Sequence, residues 1–140
     1  SGVTWKAATA NTSNALRATA AQTSSVTSNG STTIGYTIVA VGDKGTVLRS
    51  TDAGSTWVAQ ASGTTANLLA VSQSSNQTTG STTNNQWVAT GSGGTVIRST
   101  DGMTWTSSTS TTPSNLYALI SGYLGKIVAA GQAGVGVYSQ

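Results

Sequence analysis

Cysteine, histidine, glutamate and phenylalanine are missing from this chain of 140 residues, proline occurs once, and charged residues make up 6% of the whole. Each absence removes a class of chemistry. Without cysteine there is no disulfide framework and no thiolate metal site; without histidine or glutamate there is no usual metal triad and no Ser-His nucleophile. No metal and no cofactor is therefore expected. The carboxylates are Asp43, Asp52 and Asp101 alone. The six cations, Lys6, Arg17, Lys44, Arg49, Arg98 and Lys126, stand singly, so the net charge of +3 forms no basic patch for a nucleic acid. No apolar run nears the ~18 residues of a membrane span and no charged-then-apolar signal segment stands in the chain, so membrane insertion is not expected. The first residue is Ser1 rather than a methionine, which reads as a processed or excised form.

What is present points to a folded β protein. Serine and threonine supply about a third of the residues, which with so little charge would suit a disordered tract. Four tryptophans, four tyrosines and alternating Val, Ile and Leu argue instead for one folded domain. Low charge with abundant Ser, Thr, Asn and Gly is associated with extracellular, cell-surface or virion-surface proteins, and that location is expected here.

Residues 37–52, 86–101 and 126–140 align, each with two short apolar runs joined by a Gly-containing turn. The first two continue into Thr56-Trp57 and Thr104-Trp105. The third reaches Ser139 and Gln140, and its Thr-Trp stands at the other end of the chain, where residues 1–5 match residues 101–105. The repeats are thus cyclically permuted, with both termini in one hairpin turn. Spacing agrees: Gly42 to Trp57 is 15 residues, Gly91 to Trp105 is 14, and Gly131 through Gln140 and on from Ser1 to Trp5 is again 14.

Each repeat reads as four strands of alternating residues bounded by Gly, Asn and Ser. First strands are expected at 16–22, 68–73 and 116–121, and second strands at 36–41, 86–90 and 126–130. Third strands are expected at 46–51, 95–100 and 135–140, and fourth strands at 56–61, 104–109 and, displaced, 4–9. Three antiparallel four-stranded units predict an all-β fold of β-propeller blades. Blade 1 covers about 15–62, blade 2 about 67–110, and blade 3 about 115–140 plus strand 3–9 of a neighbouring chain. Segments 23–33 and 74–85 read as long polar loops and 122–125 as a short one, which accounts for Trp-to-Trp intervals of 52, 48 and, wrapped, 40. Such loops serve as unstructured ornaments, recognition surfaces or intersubunit contacts.

Ser50, Asp52, Gly54, Thr56 and Trp57 make a complete Ser-x-Asp-x-Gly-x-Thr-Trp sequence, which resembles the Asp-box of sialidase-type and related BNR-repeat β-propellers. Ser99, Asp101, Gly102, Thr104 and Trp105 resemble it with one residue deleted between Asp and Thr. Ser139 followed by Gly2, Thr4 and Trp5 keeps the outline and loses the Asp. The resemblance covers most of the chain and implies a structural turn, on the propeller end opposite the family's active site. The box also has a physical reason. A tight turn needs a carboxylate to accept its own backbone N–H groups, a residue with positive φ, and an indole laid across it.

Propellers close with about four to eight blades, and three wedges cannot surround an axis without gross distortion. The chain is therefore either a piece of a longer repeat protein or a protomer completed by oligomerisation. Segment 4–9 leads into blade 1, so it belongs to the blade before it, the last blade of a partner copy. The expected exchange pairs Thr4, Trp5 and Lys6 of one copy with Val135, Val137 and Tyr138 of the next. Two copies would give six blades, the number in sialidase-like propellers, and an open version of the same contact would give a filament. The Ser1 ammonium beside the Gln140 carboxylate would replace the missing box Asp.

An enzymatic role is not expected. The family's sialidase chemistry needs a Glu partner that is absent here, and paired-carboxylate glycoside hydrolysis would have only Asp43 free. Asp43 and Lys44 read as a solvated turn pair. Arg49 and Arg98 are equivalent, with Tyr138 at the third position, and read as structural supports for the neighbouring Trp or as repeated ligand groups. Trp87, outside any box, reads as packing. The acceptor triplets at Asn11, Asn29 and Asn76 are about what chance yields from eight Asn in so Ser/Thr-rich a chain. The preferred role is a self-assembling structural subunit whose partner is itself. The alternatives are a small multivalent lectin with glycan partners, and a protein-binding assembly factor resembling the photosystem BNR-repeat propellers.

Overall fold

A computed structural model describes residues 4–76, 84–121 and 126–139. These residues form three antiparallel sheets in chain order. The first is a meander of β1 (Leu16–Ser28), β2 (Ser31–Gly42), β3 (Val47–Ser50) and β4 (Val58–Gln60). The second repeats it with β5 (Leu68–Asn76), β6 (Asn84–Gly91), β7 (Val96–Ser99) and β8 (Thr106–Ser108). The third has three strands, β9 (Leu116–Ser121), β10 (Ile127–Gly131) and β11 (Gly136–Tyr138). The all-β class and the three antiparallel units agree with the sequence pattern. The expected fourth strand of the third unit is not in this sheet, and residues 4–9 belong to no strand of the single chain.

Second and third strands of each sheet are joined by the same tight 3₁₀ turn, at Asp43–Gly45, Ser92–Gly94 and Gln132–Gly134. Its backbone N–H and C=O groups close on themselves in all three copies, as in Gly42 N–H to Thr46 O, Gly91 N–H to Thr95 O and Gly131 N–H to Val135 O. Val135, expected in a strand, is therefore a turn residue. The fourth strands are shorter than expected because residues 56 and 104 are tied into the turns that precede them.

Strand alternation gives every sheet two faces, and the register aligns equivalent rows across them. On one face these rows are Ala20, Val39 and Arg49; then Ser72, Val88 and Arg98; then Ile120, Val128 and Tyr138. The core forms where that face of one sheet meets the opposite face of the next. Val39, Val41 and Val47 of the first sheet pack on Leu68, Val71, Trp87, Ala89, Ile97 and Trp105 of the second, all buried. Val88 and Thr90 then bury toward Leu116, Ile127 and Ala129 of the third. Polar ties cross the junctions as well. Lys44 N–H donates to Asn67 Oδ1 and Gly93 N–H to Asn115 Oδ1, both at 2.9 Å, and the Ser121 hydroxyl donates to the Gln73 carbonyl at 2.9 Å.

The stack ends on uncovered faces. The Leu at the start of the first strand is buried in the second and third sheets, at Leu68 and Leu116, yet Leu16 is 40% exposed. On the far side Ile120, Val128 and Tyr138 are 66%, 47% and 71% exposed.

One expectation is corrected outright. Residues 23–33 are not a loop: β1 and β2 continue as a two-stranded ribbon, pairing out to Ser28 with Ser31. Asn29 (φ 51) and Gly30 (φ 76) make the two-residue turn with both φ values positive that matches strand twist. Thr27 and Thr32 hydroxyls meet across it at 2.9 Å. In the second unit β5 and β6 likewise extend to Asn76 and from Asn84; residues 77–83 and the expected short loop 122–125 lie outside the described residues.

Candidate functional site

The two turns that carry the Ser-Asp-Gly-Thr-Trp pattern, the box turns, are built alike. In the first, Asp52 Oδ1 accepts from Thr56 N–H at 2.9 Å and from the Ser50 hydroxyl at 2.8 Å, while Oδ2 accepts from the Thr56 hydroxyl at 2.7 Å. Ser50 Oγ in turn accepts from Gly54 N–H at 2.9 Å. In the second, Asp101 Oδ1 accepts from the N–H groups of Met103 and Thr104 and from the Ser99 hydroxyl, each at 2.8 Å, and Ser99 Oγ accepts from Gly102 N–H at 2.9 Å. The charged carboxylate is what these donors bind, so both acids are strengthened. Asp52 is held down to about 2, chiefly by the Thr56 N–H, and Asp101 is lowered chiefly by the Thr104 N–H. The shorter turn needs one residue of positive φ, Gly102 (φ 71); the longer one needs two, and Ala53 (φ 57) shares that role with Gly54 (φ 88).

The second box turn is seated on the first sheet. A methyl group added at Gly102 would stand 3.2 Å from Val39 Cγ2 and 3.7 Å from Arg49 Cδ and Nε, so the turn lies directly on that row. Trp105 follows it into the junction and is 7% exposed, with Nε1 donating to the Gly102 carbonyl at 3.4 Å. Arg49 is half-buried beneath the turn, whereas its equivalent Arg98 is exposed. The aliphatic part of Arg49 thus packs under the turn, while its Nε is buried without a hydrogen-bond partner.

At the third position the parts are separated. Ser139 Oγ caps no box turn; it accepts from Ile127 N–H at 2.9 Å, and Ser139 N–H donates to the Ile127 carbonyl at 2.8 Å. Among the described residues no strand lies beyond β11. Thr4 and Lys6 are exposed, and Trp5 is 95% exposed. Gly2, Ser1 and Gln140, and with them the expected terminal ion pair, lie outside the described residues. The structure thus brings Ser50, Asp52, Gly54, Thr56 and Trp57 together, and likewise Ser99, Asp101, Gly102, Thr104 and Trp105. It does not bring Thr4 and Trp5 to Val137, Tyr138 or Ser139 within one chain.

Between the second and third sheets lies a cleft of about 720 Å³. Gln86, Val88, Thr90 and Arg98 line one wall and Ile127, Ala129, Val137 and Ser139 the other. Thr90 Oγ1 is buried without a partner. Asp43 stands in the turn as the sequence implied, partly exposed, and is ion-paired there. Arg17 Nε and Nη2 donate to its Oδ1 and Oδ2, each at 2.8 Å, and this fork lowers the acid. Among the described residues no group of three or more acidic, His or Cys side chains is placed to hold a metal ion.

Sequence reading missed the linker threonines. Thr64 and Thr112, which follow Trp57 and Trp105 by seven residues, accept from Ala66 and Ser114 N–H groups at 3.1 Å; Thr12, seven after Trp5, accepts from Asn14 N–H at the same distance. The signal was that equal spacing. Comparison with protein-family models, curated proteins and solved structures gives no match.

Proposed function

We propose that this chain is a structural, non-catalytic subunit that joins copies of itself head to tail, segment 4–9 of one copy adding a fourth strand to the third sheet of the next. The finer fold reading goes with it. Each sheet serves as one blade of an Asp-box propeller, and copies complete a six-bladed ring or, with the contact left open, a filament on an extracellular or virion surface. One observation carries the reading: among the described residues β11 is a bare edge while the segment bearing the third Thr-Trp is unpaired and exposed. Unpaired edge groups are a template for an added strand. Covering Ile120 and Val128, now 66% and 47% exposed, would be worth about 1–2 kcal/mol each, so the end face also gains by association. Engagement of all three carboxylates, two in box turns and one with Arg17, supports a non-catalytic role.

The test is native mass measurement and electron microscopy of the purified chain beside a variant lacking residues 1–9. Rings or polymers that vanish on truncation are expected. A chain that stays monomeric at millimolar concentration refutes the proposal.

A second reading, a multivalent lectin, is favoured by the cleft with its unpartnered Thr90 hydroxyl beside Gln86 and Arg98. A glycan array with the monomeric chain decides it: sugar binding lost in T90V and R98A supports the lectin.

A further inference from the structure

We propose that Trp5 of a second copy seats in the cleft between the second and third sheets, on Val88 and Arg98, while Thr12 of that copy covers Gly134. The inference rests on the self-assembly reading and specifies where the joint is made.

The template is inside the chain. At the junction of the first and second sheets, the row of Val39 and Arg49 carries the second box turn, and Trp105 is buried there. Val88 and Arg98 are the same cross-strand pair one sheet on, and they line an open cleft. The fourth strand that would deliver an indole to that cleft is the one missing beside β11. Thr4-Trp5 repeats Thr104-Trp105 and is exposed.

A second, independent contact has the same pattern. A methyl group added at Gly45 would collide with the Thr64 carbonyl oxygen, and one at Gly94 with that of Thr112, so each linker lies directly on the preceding sheet's turn. Gly134, with the same left-handed backbone (φ 76), has nothing within 4 Å of such a methyl. Thr12 already makes the local hydrogen bond that Thr64 and Thr112 make. Trp and Thr are seven residues apart in all three copies, so one segment in the repeat's own conformation reaches both seats at once.

The donor is another molecule rather than the chain's own terminus. Residue 15 is anchored on the first sheet through its carbonyl, which accepts from Asp43 N–H at 2.9 Å. Packed sheets are ~10 Å apart, so Gly134 on the third sheet stands about 20 Å from that anchor. Thr12, three residues before Ala15, reaches at most ~11 Å fully extended, so a chain's own linker cannot cover its own Gly134.

Sedimentation across a concentration series tests this with four chains: wild type, W5A, G134A and G93A. Gly134 and Gly93 both have positive φ and nothing within 4 Å of an added methyl, so each variant strains the turn without a clash in the single chain; G93A, with dilute melts of both variants, is the control for folding. W5A and G134A are expected to raise the concentration of half-assembly about tenfold or more, with G93A close to wild type. A photoreactive phenylalanine analogue at position 5, in an isotopically mixed sample, should cross-link between copies to residues 86–98 or 127–139. If wild type assembles but W5A and G134A match G93A, or cross-links fall on the outer faces at Leu16 or Ile120, this seat is wrong and self-assembly stands. If wild type does not assemble, both fall. Sugar-dependent signals in the cleft of a chain that remains monomeric also overturn the seat.

Discussion

Asn67 ties the second sheet to the first: its Oδ1 accepts from the Lys44 N–H at 2.9 Å, and Asn115 repeats the bond to Gly93 one sheet later. The third equivalent position is Ala15, which has no amide to offer. Junctions within the chain therefore carry a latch that the proposed junction between copies would lack.

Replacing Asn67 or Asn115 by Ala should lower stability by about 1 kcal/mol in urea unfolding. The converse change, A15N, should leave the dilute chain's stability unaltered while strengthening self-association by roughly 2- to 12-fold. Sedimentation of A15N beside wild type reads that gain.

Acid should weaken the box turns in a defined window. Asp52 has a folded value of about 2 against an ordinary 3.8, because Thr56 N–H binds its charged form. A lowered acid contributes its stability above the ordinary value and loses it as pH falls through the folded one. The difference in melting temperature between wild type and D52N should be constant above pH ~5 and close between pH ~4 and ~2. Asp101 is lowered in the same direction, so D101N should behave alike. A gap that persists at pH ~2 would remove the charge from the explanation.

Trp105 and Trp5 occupy matching positions yet differ in burial from 7% to 95%. In dilute, monomeric solution W105A should cost about 3–5 kcal/mol. W5A should change stability there by less than about 0.5 kcal/mol. Denaturant melts at low protein concentration separate the two, and equal losses would mean that Trp5 is covered within its own chain.

Ala53 and Ala133 hold left-handed backbone that favours glycine, and Gly93 occupies the position equivalent to Ala133. That conformation costs a non-glycine residue about 1–2 kcal/mol, partly offset by the chain entropy a glycine loses on folding, about 0.5–1 kcal/mol. A53G and A133G should each raise the melting temperature by a few degrees, as about 0.5–1 kcal/mol requires in a domain of this size.

The strand alternation, the 3₁₀-turn repeats and the Ser-Asp-Thr-Trp spacing were legible from residues because each is a local rule. Side chains two apart share a sheet face, and a carboxylate reaches the N–H groups two to four residues on. The outer ribbon at 23–33 was missed although Asn29-Gly30 announces its turn, because its Ser- and Thr-rich arms look like loop composition until they are paired. The Arg17–Asp43 ion pair joins residues 26 apart and depends on where two strand ends meet.

By itself, then, the order of residues determined three sheets, their two faces and the places where turns are braced. What only the tertiary structure decided is how the repeats differ. Val39, Val88 and Val128 are the same residue in the same register, and the first two are buried while the third lies open, as Arg49 is half-buried and Arg98 is not. The reason is that which face a side chain takes is settled by its own strand, whereas whether that face is covered depends on the neighbour standing in front of it.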